Sequence, residues 1–164
     1  MEEGTTIIGM LAIALCIMPL IIIGKSKRKK ERELLASLQD IAAMYGSDIS
    51  THDFGVNFAI GMADNMQFVF FYKKWKETEI QECIPFKSIK YCKVEKTTRS
   101  VKTKTGNEEK LGKLELIFQP KDRLIEPTRF EFFNTRHFAQ PSGEIQLAKK
   151  WESIINERLG VIYD

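Results

Sequence analysis

Histidine and cysteine are scarce in this chain of 164 residues, which holds two of the first and three of the second. His52 and His137 lie in different segments, and neither has a cysteine or a second histidine at metal-ligand spacing. Cys16, Cys83 and Cys92 form no CxxC and are odd in number. A disulfide framework and a structural metal site are therefore both disfavoured, and a reducing location is expected. The sequence also has no GxSxG, P-loop, GxGxxG or HExxH pattern. Asp53 beside His52 is adjacency and does not make a catalytic dyad. The expectation is a protein that is not an enzyme, with no catalytic, cofactor-binding or metal-binding residues and no cofactor.

Charge is absent where it would be most costly. From Ile7 to Gly24 the chain carries no ionisable acid or base, and the run stops at Lys25-Ser26-Lys27-Arg28-Lys29-Lys30-Glu31-Arg32. Eighteen helical residues reach about 27 Å, close to the hydrocarbon thickness of a bilayer. A transmembrane anchor is expected over residues 1–24, its short N-terminal tail included. Glu2 and Glu3 precede the run and six basic residues follow it, so the N-terminus is expected outside and everything from Lys25 onward in the cytoplasm. A cleaved secretory signal would show the reverse order of charge. The location implied is the inner or plasma membrane, spanned once.

The net charge of +3 hides its origin. Residues 25–32 hold six bases against one acid, whereas residues 33–164 hold 19 of each. The basic excess thus sits at the membrane surface, which disfavours nucleic acid as a partner. Lys25, Lys27, Arg28, Lys29, Lys30 and Arg32 are expected to contact that surface. Whether this collar recognises anionic headgroups or only sets topology is left open by the composition.

Residues 25–46 form a juxtamembrane unit, basic at its start and helical from about Lys27 to Tyr45. Leu34, Leu38, Ile41 and Tyr45 recur at helical spacing, with Leu35 and Ala42 alongside, and Gly46 supplies a stop. Such a stripe either packs on the following domain or pairs with another copy. Within residues 47–164 the period then changes to two. Strands are expected at 56–62, 66–73, 79–84, 89–97, 114–118 and 128–132, with Ala63-Asp64-Asn65 and Pro85-Phe86-Lys87-Ser88 as turns. Short consecutive strands without intervening helices imply an antiparallel meander. Ser142 is the expected N-cap of a closing helix whose apolar face is Ile145, Ala148, Trp151, Ile155 and Leu159, and Trp151 is expected as a core plug. Cys83 and Cys92 are expected as small buried residues.

This α+β order, with Ile84-Pro85-Phe86-Lys87-Ser88-Ile89-Lys90 leading into a strand and a C-terminal amphipathic helix carrying Trp151, resembles bacterial pleckstrin-homology-like domains. The N-terminal anchor, Ala43-Met44-Tyr45-Gly46 and Phe58-Ala59-Ile60-Gly61-Met62 look similar to single-pass proteins of Bacteroidetes. The resemblance covers residues 50–160 and implies a curled antiparallel sheet closed by the helix. Six strands are counted where that barrel has seven, so either a strand at 49–52 completes it or the barrel is incomplete. A headgroup ligand is not implied. Family members that bind phosphoinositides place Lys and Arg around the first hairpin, whereas the hairpin tip here is Ala63-Asp64-Asn65.

Two further segments qualify as ligand or partner contacts. Residues 93–113 read as a basic hairpin loop carrying Lys96, Arg99, Lys102 and Lys104. Lys73, Lys74 and Trp75, with Phe71 and Tyr72, mix bases with aromatics as interfaces do. The functional expectation is a membrane-anchored interaction module that recruits or assembles protein partners, or a homo-oligomer, at the cytoplasmic surface of the bilayer. The alternative is a domain that binds an anionic headgroup or a small ligand there.

Overall fold

The computed structural model describes residues 24–103 and 106–160, with side chains described outside 101–107. Nearly all of the expected anchor falls outside this range. Among the described residues no helix is long and apolar enough to cross a membrane.

Residues 24–44 are helical and are here called α1. Gly46, at φ 64°, ends the helix: its N–H bonds the Ala43 carbonyl and the Ser47 N–H bonds that of Ala42. This left-handed closure satisfies carbonyls that the helix leaves open. Seven strands follow: β1 (Ile49–Phe54), β2 (Phe58–Ala63), β3 (Phe68–Trp75), β4 (Thr78–Pro85), β5 (Ile89–Thr103), β6 (Gly106–Pro120) and β7 (Thr128–Asn134). The last element is α2 (Glu144–Leu159). All pairings are antiparallel, in a four-stranded sheet β1-β2-β3-β4 and a three-stranded sheet β5-β6-β7.

Several expectations are corrected here. The meander is two sheets and not one, and among the described residues no ladder joins them into a closed barrel. The break lies at Pro85, which lacks an N–H and leads into a 3-10 turn over Phe86–Ser88 held by the Ser88 hydroxyl on the Pro85 carbonyl. A strand at Ile49–Phe54 is present, so the first hairpin is β1–β2, turning at 55–57, and Ala63-Asp64-Asn65 belongs to the second. Met66 lies in that second turn at φ 54°, ahead of β3. The basic hairpin is present, and its strands run beyond the bounds 89–97 and 114–118 expected for them, since β5 and β6 stay paired from Ile89↔Pro120 to Thr103↔Gly106.

Two apolar layers hold these elements. Phe58, Ile60, Val69 and Phe71 on one face of the first sheet meet Leu114, Leu116, Phe130 and Phe132 of the second, and Trp151 and Ile155 of α2 close the core. Phe71 stacks on Phe130 at 4.5 Å between ring centroids. The opposite face of the first sheet, Ala59, Ala63, Phe70 and Tyr72, is covered by Leu34, Leu38, Ile41 and Ala42 of α1. The α1 stripe therefore packs within the chain. All six residues of β2 are buried because both of its faces are covered, which explains why polar alternation is missing from its sequence.

Residues expected to be exposed beside Trp75 are core instead: Phe71 and Tyr72 are buried, and so is Lys73. At the start of α2 the N-cap is Gly143, at φ 107°, while Ser142 gives its backbone N–H to the Glu144 carboxylate. Trp151 is fully buried, as a core plug should be.

Candidate interaction surfaces at the two ends of the domain

α1 lies with its N-terminal turns beside the β1–β2 turn and its C-terminal turn beside the β2–β3 turn. Lys27, Lys30 and Leu34 border a hollow with Gly55 and Val56, while Asn65 Nδ2 reaches Ser47 Oγ at 3.2 Å. The domain thus has two ends that can be described separately.

The collar end carries Lys25, Lys27, Arg28, Lys29, Lys30 and Arg32, all exposed on α1 ahead of Leu34, the first residue of the buried stripe. From residue 24 to Leu34 the helix rises about 15 Å. Two open hollows lie under it, of about 540 Å³ between Lys27, Lys30, Leu34 and Val56 and about 460 Å³ between Lys27, Asp53, Val56 and the start of α2. Arg28 and Arg32 border a smaller one with His52 and Phe54. Asp53 Oδ2 accepts from Trp151 Nε1 at 3.0 Å and from Lys150 Nζ at 2.7 Å, so this carboxylate is engaged in tying β1 to α2.

The β5–β6 ribbon leaves its sheet beyond Lys113↔Asn134, where β7 stops. Its root lies near this same end, since the Thr135 N–H bonds Gly112 O and the His137 ring packs at a tilt against Trp75, 4.4 Å between centroids. Lys96 and Arg99 are exposed on it, and Arg99 stands directly opposite Lys110. Like charges so placed destabilise a ladder, and Glu108, 3.8 Å from Lys110, offsets only part of this. The side chain of Lys102 and all of Lys104 lie outside the described residues.

Sequence reasoning grouped Lys73, Lys74 and Trp75, but the structure separates them. Lys73 follows Val69 and Phe71 on the inner face of β3, and its Nζ lies 2.7 Å from Glu131 Oε1 and 3.0 Å from the Glu131 carbonyl. It is an internal tie between the sheets. Lys74 points to the other face and pairs with Glu79 at 2.5 Å. Trp75 is half-buried against His137 and Phe138.

Around Glu131 the charges alternate in sign across the outer face of the second sheet. Lys113 pairs with Glu131 at 3.6 Å and Glu115 at 2.7 Å, and Arg129 pairs with Glu115 at 3.6 Å and Glu95 at 3.5 Å. The register sets Glu95, Glu115 and Glu131 directly opposite one another, an arrangement tolerable only with these cations between them. Burial pushes the Glu131 carboxyl up, but hydrogen bonds from Lys73 and Asn134 and the charges of Lys73 and Lys113 outweigh it and hold it below the usual carboxylate range. Burial raises both Cys83 and Cys92, so neither thiol is activated. Among the described residues, no three or more His, Cys, Asp and Glu side chains are grouped as a metal site would need.

The end away from the collar is different in chemistry. Met44, Tyr45, Met66, Leu124 and Ile125 are exposed there, Leu124 at 93% and Ile125 at 57%. A sequence of contacts places them at one end. Tyr45 lies on Phe68 at 5.5 Å, the Gln67 carbonyl accepts from the Phe86 N–H, and the Ser88 carbonyl accepts from the Lys121 N–H where the β6–β7 loop begins. Asp122 Oδ1 accepts from the Leu124 N–H at 2.9 Å, which shapes the loop that presents Leu124. Sequence reasoning passed over this pair. The available signal was two large aliphatic residues between Pro120 and Pro127, where no strand can run through.

Compared with known proteins, the chain matches no family model, no curated protein and no solved structure.

Proposed function

We propose that this chain is a single-pass membrane protein whose cytoplasmic domain, pleckstrin-homology-like in plan, is a non-enzymatic module that recruits or assembles protein partners at the membrane surface. The observation that carries the reading is the opposition of the two ends. Basic residues ring the start of α1, directly after the apolar run, and large apolar side chains stand exposed at the far end. Exposed Met, Tyr and aliphatic residues gathered at one end are the chemistry of protein contacts, and Leu124 stands 93% exposed among them. α1 joins the two ends without a flexible linker, since its own stripe is part of the packing. The far end is thereby held at a set height below the bilayer. Seven antiparallel strands followed by a C-terminal helix agree with the strand number and order that the pleckstrin-homology-like resemblance implies, although they are divided between two sheets.

The test uses full-length protein extracted in mild detergent, with its mass measured by chromatography coupled to light scattering. A discrete complex is expected, with a partner polypeptide or with further copies, and the double variant Leu124→Ser, Ile125→Ser is expected to release it while remaining in the membrane fraction. A wild-type chain that runs as a lone monomer would overturn the recruitment reading. So would a complex that survives the double substitution together with Tyr45→Ser.

A further inference from the structure

The larger hollow at the collar end has a composition that the protein-contact reading does not use. Its floor is apolar, formed by Leu34 and Val56, and its rim carries Lys27, Lys30 and Glu31. Lys27 lies 3.8 Å from Glu31, an exposed and weak pair, while Lys30 has no ion-pair partner among the described residues. The rim therefore holds a net positive charge over an apolar base.

Val56 is exposed here on a turn that is held in place rather than left loose. The Gly55 N–H bonds the Phe58 carbonyl, Asn57 Nδ2 bonds the Lys74 carbonyl at 3.2 Å, and the Lys74 N–H bonds the Asn57 carbonyl at 2.9 Å. The Phe58 ring sits where a Cβ on Gly55 would stand, so this turn cannot relax by exchanging Gly55 for a larger residue.

Height settles what can reach the hollow. If the apolar run ends at the hydrocarbon boundary with Gly24, then Lys27 to Lys30 lie about 5–9 Å further along the helix. The headgroup layer occupies about 5–8 Å on each side of the hydrocarbon core. Lys27, Lys30 and the Val56 turn that faces them thus fall at the depth of lipid phosphates.

We propose that this hollow seats an anionic phospholipid headgroup, its phosphate between Lys27 and Lys30 and its glycerol side against Val56 and Leu34. The proposal rests on the membrane-anchor reading above. It gives the domain a second point of attachment to the bilayer, so that both its height and its tilt are set. A second attachment restricts rotation about α1 and keeps the apolar far end facing away from the membrane.

The test places the full-length chain in nanodiscs of phosphatidylcholine, with or without phosphatidylglycerol, doped with a lipid bearing a nitroxide on its headgroup. Amide signals are then read by magnetic resonance. Gly55 and Val56 are expected to broaden more than Leu124 in both discs because of their height, and severalfold further in the discs containing phosphatidylglycerol, and that further increase is expected to vanish in Lys27→Gln, Lys30→Gln protein. Equal broadening at Val56 and Leu124, or equal broadening in neutral and anionic discs, overturns the headgroup site. A chain washed out of proteoliposomes by alkaline carbonate instead overturns the anchor reading itself, which makes the two failures separable.

Discussion

Asn156 on α2 closes both backbone bonds of Cys92 on β5: its Oδ1 accepts from the Cys92 N–H at 2.8 Å, and its Nδ2 donates to the Cys92 carbonyl at 2.7 Å. Among the described residues β5 pairs with β6 alone, and its other edge faces α2. Glu152 Oε1 accepts from the Val94 N–H at 2.6 Å, two residues along the same edge. One helix thus acts as a partner strand, through its side chains.

Replacing Asn156 by Ala takes its side-chain hydrogen bonds away from two buried backbone groups. Each such group costs about 1–3 kcal/mol, so unfolding free energy is expected to fall by about 2–6 kcal/mol. Urea denaturation of the detergent-solubilised chain measures this. A loss below about 0.5 kcal/mol, the size of an ordinary surface change, would mean that the edge is satisfied in another way.

Lys73 and Glu131 supply the polar tie between the sheets, and the two ways of removing them differ in outcome. Lys73→Met leaves the Glu131 carbonyl and carboxylate short of a donor, although Lys113 and Asn134 remain on the carboxylate. A loss of about 1–3 kcal/mol is expected. Adding Glu131→Leu to Lys73→Met removes both charges, and the double variant is expected to recover the part of that loss that comes from the carboxylate, while the backbone carbonyl of residue 131 still lacks the Lys73 donor. Double-mutant analysis by denaturation is the measurement. A double variant less stable than Lys73→Met alone would show that the charges serve the wider network through Lys113 and not the pair.

Acid should report the same site. Because the folded-state pKa of Glu131 is depressed, its contribution to stability is fully present above the ordinary carboxylate value of 4.5 and is lost as pH falls through the lower folded value. Melting temperatures of wild type and Glu131→Gln are therefore expected to differ most near neutrality and to converge below that range. Parallel curves down to the acid limit would exclude Glu131 as a source of the acid sensitivity.

The parts of the fold legible in the sequence are those carried by repetition. The α1 stripe, the alternation of β6 and β7 and the apolar face of α2 each follow from a period that one packed face imposes. β1 was not countable, since Ile49 to Phe54 alternates weakly and its exposed side chains read as loop. Register was invisible, and with it the placement of Glu95, Glu115 and Glu131 in one row, because no single strand shows what its neighbour sets opposite. Lys73 read as surface for a related reason. A lysine in a strand is normally solvated, and only the partner sheet supplies the carboxylate and carbonyl that permit its burial. Asn156 lies beside Ile155 on the buried side of α2, where the sequence offered no reason for an amide. Of the candidate contacts, the collar was legible as a charge run, whereas the far end was not, since five apolar residues scattered over three separate segments form no pattern along a chain.

The seat of α1 on the first sheet depends on the absence of a side chain at Gly61. A Cβ there would stand 2.9 Å from Leu38 Cδ2 and 3.1 Å from both Ile49 Cγ2 and the Thr51 carbonyl. Leu38 is fully buried in that contact, so the helix cannot be lifted by one methyl group without opening the layer formed with Ala59 and Phe70. Gly61→Val is accordingly expected to cost about 1–3 kcal/mol through overpacking. Leu38→Ala alone is expected to cost about 2–5 kcal/mol by leaving a cavity. In combination the two changes compensate in volume, and the double variant is expected to be more stable than the sum of the single losses predicts, by about 1 kcal/mol or more. Additive losses would mean that the added methyl groups meet the Thr51 carbonyl and the strand rather than the helix, and that α1 is held at its present distance by contacts other than the one between Leu38 and Gly61.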